Sequence, residues 1–261
     1  MKVEDTNLST PENMQAAPLG VWYNDKFITA IDWGTRFPVT IFNSACQGVN
    51  IEHPLKQQLR ELRKNVEYCA STNEEIIESL HSIPKKKRTF VVNRINYVDD
   101  ALKKQLDTLI GVDCWAIANL VIDNCPYGSY LALEDHECLK DAFTKDNGED
   151  DWMRKAHLDM LYWVLANLAQ RKNIKIVYVN KTRTSLICPV CGKFDNNARH
   201  KDKHIYRCKK CGFVANDDIT AAMNIYRLAE KLIFGDCYMD MQSAANAIPR
   251  QPASYIPLIP Q

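Results

Sequence analysis

The sequence predicts an α/β fold, and three observations carry that prediction. Two apolar stretches, FITAIDWG from Phe27 and FPVTIF (37–42), follow each other closely enough to form a β-hairpin. Further short apolar runs, SYLALEDH (129–136) and IKIVYV (174–179), read as strands. Between and after these runs lie segments whose apolar residues recur every three or four positions, the period of a helix packed on one face. Strands that alternate with helices after an initial hairpin form a sheet layered with helices.

Residues 1–20 read as a flexible lead-in; their polar, partly acidic start, MKVEDTNLSTPENMQ, is not a secretory signal. Trp33-Gly34-Thr35-Arg36 suits a tight hairpin link, and Pro38 suits a strand start. HPLKQQLRELRKNVEYC (53–69) is helical, with Leu55, Leu59, Leu62 and Val66 on one face. NEEIIESL is a second helical piece, and IPKKKR (83–88) reads as a basic break. VDDALKKQLDTLIG (98–111) forms a helix ended by its glycine, and CWAIANLVID a buried helix. TKDNGEDD (144–151) is a polar loop. WMRKAHLDMLYWVLANLAQRK (152–172) is a long amphipathic helix with Tyr162 and Trp163 in its core face. The expected organisation is a main domain over 21–180, a cysteine module over 181–217, a final helix over 218–244 and a proline-rich tail over 245–261, disordered or serving as a docking segment.

Of 261 residues, 46% are hydrophobic and 25% charged, enough for one large domain with a small module. No unbroken apolar run approaches the ~20 residues of a membrane helix, so no membrane partner is expected. Net charge is +1, so attraction to nucleic acid must come from a local patch. Ten cysteines without a secretory signal point to thiols and metal in a cytoplasmic chain. It would be nuclear if Lys85–Arg88 acts as an import signal. Cys46, Cys69, Cys114, Cys125, Cys138 and Cys237 are scattered and read as buried or incidental thiols.

Cys188-Pro-Val-Cys191-Gly and Cys208-Lys-Lys-Cys211-Gly are two knuckles. Each brings two thiolates to one side of a turn, and two such turns make a tetrahedral four-sulfur site, the geometry of structural zinc. An iron centre or disulfides are the alternatives, and His200 and His204 would allow a mixed site; four cysteines are the simpler choice. From Lys181 to Cys211 nine Lys or Arg stand against two Asp, a local +7 that leaves −6 for the rest of the chain. Lys193, Arg199, Lys201, Lys203, Arg207, Lys209 and Lys210 are the candidate phosphate contacts, with Phe194, Tyr206 and Phe213 interleaved to stack on bases. A solvated metal knob is the plainer reading.

Three carboxylates lie at element ends. Asp32 and Glu134 each close an apolar strand, and Asp218 opens a helix just beyond the knuckles. Each has an ordinary reading: turn residue, surface acid, helix cap. Together they supply rigid oxygen donors of the kind hard divalent cations need.

The motifs resemble those of a known family. Ala30-Ile31-Asp32-Trp33-Gly34 is similar to the first RuvC motif, and Leu131-Ala132-Leu133-Glu134-Asp135 to the second. Thr184-Ser185, the two knuckles and Asp218-Ile219-Thr220-Ala221-Ala222-Met223-Asn224-Ile225 resemble the zinc module and third RuvC motif of TnpB nucleases, relatives of the type V CRISPR effectors. The resemblance covers roughly 27–230. It implies an RNase H-like (RuvC) mixed sheet with an inserted zinc ribbon, and DNA cleavage with Mg²⁺ or Mn²⁺ by Asp32, Glu134 and Asp218. Asp217 is read as a neighbour or helix cap. Trp33 and Thr220 differ from the residues usual in the family. Only 31 residues precede Asp32, too few for a guide-RNA-holding domain of the usual kind. The expectation is therefore a nuclease acting on single-stranded or branched DNA, or one that works with an RNA or a recognition subunit. A non-cleaving DNA-binding accessory is the other class.

Overall fold

The computed structural model describes residues 26–34, 37–135, 151–180, 184–200, 203–235, 239–247 and 254–255. Residues 1–25, Thr35, Arg36, residues 136–150 with His136 and Cys138, Lys181, Arg183, Lys201, Cys237 and most of the expected tail lie outside them. The main sheet contains β1 (Ile28–Asp32), β2 (Val39–Asn43), β3 (Gly48–Ile51), β4 (Tyr130–Glu134), β5 (Lys175–Val179) and β9 (Ser254–Tyr255), in the order β5-β4-β1-β2-β3-β9. β4 is parallel to β1 and β5, whereas β2 is antiparallel to both β1 and β3. β9, from the tail, runs parallel to β3.

Both faces of the sheet are covered, which is why the central strands read as unbroken apolar runs. Alternation sends Ile31, Val39, Ile41, Leu131 and Leu133 into one core. Helices α1 (Lys56–Ser79), α2 (Lys85–Asp123) and α3 (Asp151–Arg171) build that layer. Ile28, Ala30, Phe42 and Ala132 point into the second core, with α4 (Asp217–Phe234), α5 (Met241–Ala247) and the cysteine module. In that module β6 (Arg199–His200), β7 (Ile205–Arg207) and β8 (Val214–Asn216) form an antiparallel sheet.

Four sequence readings are corrected. The break is narrower than residues 83–88: it falls at Ile83 and Pro84, and Lys85–Arg88 already form the first turn of α2, where the Pro84 carbonyl accepts the N–H groups of Lys87 and Arg88 at 2.9 and 3.1 Å. Four cations at a helix N-terminus oppose the helix dipole, which is why charge alone suggested a break. Gly111 does not stop the helix. It faces α3, where an added Cβ would come 3.9 Å from the Met160 methyl. Packing of Ile110, Cys114 and Ile117 outweighs the ~1 kcal/mol helical cost of a glycine. The final helix is two: Gly235, at φ 84°, ends α4 by donating its N–H to the Lys231 carbonyl. Trp163 is exposed, whereas Tyr162 is buried.

The later half of α2 is long and apolar enough to cross a membrane by length and composition alone. In the fold its Leu106, Ile110, Ile117 and Val121 are core residues under the sheet. The first half of α2 presents Phe90 and Tyr97 to solvent.

Candidate active site and metal centres

Asp32 and Glu134 converge because their strands do. β1 and β4 pair in parallel with Ile31 beside Leu133, so Asp32 and Glu134 end adjacent strands one step further on. Neighbouring strands lie ~4.8 Å apart. Both residues are two positions beyond residues of the second core, Ala30 and Ala132, and so share the face on which α4 packs. Gly34 fixes the chain beyond Asp32, because a Cβ there would sit 2.5 Å from the Phe37 carbonyl oxygen.

α4 brings the third carboxylate. Its N-cap is Asn216, not Asp217: the Asn216 side chain accepts the N–H groups of Asp218 and Ile219 at 3.0 and 3.1 Å. Asp217 and Asp218 are both buried in the first turn. Arg199 binds both, its Nε donating to Asp217 at 2.6 Å and its Nη2 to Asp218 at 3.4 Å. Burial alone would depress the guanidinium pKa. The hydrogen bond and charge of Asp217, with the charges of Asp218 and Asp32, raise it above its ordinary value. Asp32 thus lies within electrostatic reach of the α4 mouth. His204, at φ 50°, holds its Nδ1 3.9 Å from Asp217 Oδ1, and His204, Asp217 and Asp218 each offer an atom to one potential metal cradle.

Glu134 is held by partners the sequence reading did not identify. Thr184 Oγ1 donates to Glu134 Oε1 at 3.1 Å, and the Thr184 carbonyl accepts Asn224 Nδ2 of α4 at 2.7 Å. The Tyr162 hydroxyl donates to the Glu134 backbone carbonyl and accepts from Trp33 Nε1 at 3.1 Å. The two rings stack at 5.0 Å. Burial pushes the Tyr162 hydroxyl well above its usual pKa, so it stays a donor. Trp33, large for its position in the motif, therefore ties the end of β1 to the end of β4 through α3.

The four knuckle cysteines gather as their spacing predicts. Sγ–Sγ separations of 3.6 Å join Cys188 to Cys211 and Cys191 to Cys208. A tetrahedron with Zn–S of 2.3 Å needs about 3.8 Å, so the sulfurs fit zinc. Gly192 and Gly212, at φ 69° and 76°, close the two knuckles by donating to the Cys188 and Cys208 carbonyls. Burial alone would raise the Cys208 thiol, but the N–H groups of Cys211 and Lys210 and the neighbouring thiols hold it down to about 7, toward the ligating thiolate.

The expected base-stacking aromatics are corrected in part. Tyr206 and Phe213 are buried against each other and α4. Neither is available to a base, because a module this small needs them as its core. Phe194 is half-buried. Lys193, Lys203, Arg207, Lys209 and Lys210 are exposed, Arg199 turns toward the carboxylates, and Lys201 lies outside the described residues.

Comparison with known proteins agrees with this architecture. A family model described as Cas12f1-like, TNB domain matches residues 159–225, from α3 through the ribbon into α4. A TnpB-like protein of Methanocaldococcus jannaschii is 22% identical over 183 residues, 69% of this chain and 62% of that protein. The CRISPR-associated endodeoxyribonuclease Cas12f1 of Sulfoacidibacillus thermotolerans is 37% identical over 57 residues, 22% of this chain and 13% of that one. Among solved structures, a Cas12f1–sgRNA–target DNA complex superposes with a TM-score of 0.53 at 19% identity, over 79% of this chain and 51% of that chain. The mini-RNA-guided endonuclease CRISPR-Cas_phi3 gives 0.52 at 14% identity, over 87% and 46%. The chain thus spans less than two thirds of these relatives. In its ribbon sequence and its curated relatives the chain is similar to TnpB-like proteins and to Cas12f1, and it shares its fold with the type V effectors.

Proposed function

We propose that this chain is a divalent-metal-dependent DNA endonuclease of the RuvC type, with an RNase H-like sheet and a zinc-bearing ribbon. The observation that supports the reading is the placement of three carboxylates at the ends of rigid elements: Asp32 and Glu134 end neighbouring parallel strands, and Asp218 opens α4, which packs on the same sheet face. Their donor set is all oxygen, which suits Mg²⁺ or Mn²⁺. When bound, a pair of such ions lowers the pKa of a water and stabilises the leaving oxygen of a phosphodiester. Asp32, Glu134 and Asp218 are the residues that would hold them.

The chain's other residues hold this constellation in place. Thr184 orients the Glu134 carboxylate, and Trp33 with Tyr162 fixes the two strand ends. Arg199 offsets the negative charge of the α4 mouth. The exposed Lys193, Lys203, Arg207, Lys209 and Lys210 carry the ribbon's attraction for phosphates, so binding weakens as salt rises.

The test is cleavage of labelled single-stranded, duplex and branched DNA with and without Mg²⁺ or Mn²⁺. We expect ion-dependent cutting, strongest on single-stranded or branched DNA, that is abolished in Asp32→Ala, Glu134→Gln and Asp218→Asn. Cutting unchanged in all three variants would remove the assignment. A second reading, recognition delegated to an RNA, is favoured by one observation: one of the solved structures with this fold is a complex with sgRNA and target DNA. A discrete RNA co-purifying with the chain supports it, and nucleic-acid-free protein that cuts equally well counts against it.

A further inference from the structure

On the sheet face opposite α4, three side chains that the nuclease reading does not use meet in the interior. His53 follows β3 by two residues, Asp113 lies in α2, and His157 lies in α3. Asp113 is fully buried, and the histidine side chains are only 8% and 3% exposed. His53 Nδ1 is 2.6 Å from Asp113 Oδ2, and His157 Nε2 is 3.0 Å from the same oxygen.

Burial alone would raise the Asp113 pKa, but the two histidines and the Leu55 N–H outweigh it and lower the value to about 2. With Asp113 ionised, the hydrogen-bond accounting at His157 does not close with a neutral ring. Its Nδ1 lies 2.6 Å from the Met153 carbonyl, which can only accept, so the ring proton belongs there. Nε2 then presents a lone pair to an oxygen of a fully buried carboxylate. The other Asp113 oxygen is already bound by the Leu55 N–H at 2.8 Å. A positive centre must lie between His157 Nε2 and Asp113 Oδ2: either a second proton or a metal ion.

We propose that His53, Asp113 and His157 form a mononuclear site for a divalent transition metal of the zinc class. The ligating atoms all lie within 4.8 Å of one another. In a tetrahedron with bonds of 2.0–2.1 Å, neighbouring ligand atoms stand about 3.3 Å apart, so a small expansion of the cluster admits the ion. Two imidazoles and one carboxylate are a donor set that such ions favour over Mg²⁺. The bond from His157 Nδ1 to a backbone carbonyl is the support that fixes the orientation of metal-bound imidazoles. The rings meet edge-on, 72° apart with centroids at 4.7 Å, rather than stacking. The fourth position falls to water on the His53 side, the more exposed edge. The ion would staple the end of β3 to α2 and α3.

The test uses the full chain with excess Mg²⁺, which occupies hard-oxygen sites, and Co²⁺ as the probe. Thiolate-bound Co²⁺ gives intense near-ultraviolet charge-transfer bands, whereas a nitrogen–oxygen site gives only visible d–d bands. We expect one equivalent of the second kind, beyond any held by the His204–Asp217–Asp218 cradle, that is lost in His53→Ala and in the near-isosteric Asp113→Asn while the thiolate bands persist. A second measurement needs no variant: in ¹H–¹⁵N spectra of the unmodified chain, saturating Zn²⁺ should leave His157 Nε2 without a proton and shift its resonance. Equal Co²⁺ binding by parent and variants, or a His157 ring carrying both protons with and without Zn²⁺, overturns the proposal. The latter result would identify the centre as a buried imidazolium–carboxylate pair.

Discussion

Tyr162 ties two strand ends together through a single hydroxyl, accepting from Trp33 and donating to the Glu134 carbonyl. Tyr162→Phe keeps the ring stack and strands both partners in a buried place. We expect a loss of about 1–3 kcal/mol, read as a lower denaturant midpoint at unchanged slope. Thr184→Val keeps the shape and removes the donor to Glu134 Oε1. Losing a support of this kind costs roughly 10–100-fold in metal affinity or activity. Mn²⁺ titration of cleavage would reveal it, and wild-type behaviour in that titration would exclude the orienting role. Gly34→Ala forces a methyl against the Phe37 carbonyl oxygen. The expected destabilisation is about 1–3 kcal/mol, read as a fall in thermal midpoint.

Elements were legible in the sequence to the degree that their burial was simple. β1, β2 and β4 are short apolar runs because both faces of the sheet are covered there, whereas β5, an apolar run at the sheet edge that read as buried, leaves Tyr178 exposed. β3, four residues with Asn50 in the middle, has no such signal; its Asn50 side chain accepts from Thr40 within the sheet. The continuity of α2 through Gly111 was hidden because its cause, the packing of α3 against it, lies dozens of residues away. The two carboxylates at strand ends were readable because strand register places them. Thr184, Tyr162 and Arg199 were not, because their partners are 50, 28 and 18 residues distant along the chain. At α4 the sequence left Asp217 as either neighbour or cap; the cap is Asn216, directly before the two aspartates, and Asp217 is the neighbour. Asn216→Ala should cost ~1 kcal/mol and loosen the first turn, seen as faster amide exchange at Asp218 and Ile219. Unchanged exchange there would mean the cap is redundant.

At the scale of the molecule, the ribbon and the sheet share one core. Cys188, Ala198, Tyr206 and Phe213 pack in the same cluster as Ile28, Phe42 and the inner face of α4. Removing metal from the four cysteines should therefore do more than melt a surface knob. We expect a strong chelator to lower the thermal midpoint of the whole chain and to increase amide exchange in the first turn of α4. A thermal midpoint unaffected by verified loss of the ion would separate the ribbon from the core energetically.

No spacer separates the ribbon's last strand from the helix that bears Asp218: β8 ends at Asn216 and α4 starts at Asp217. Nothing along the backbone can absorb a tilt of one against the other. A load applied to the basic outer surface of the ribbon is consequently transmitted, undamped, to the two aspartates at the other end of the joint, as by a lever fixed to its own fulcrum.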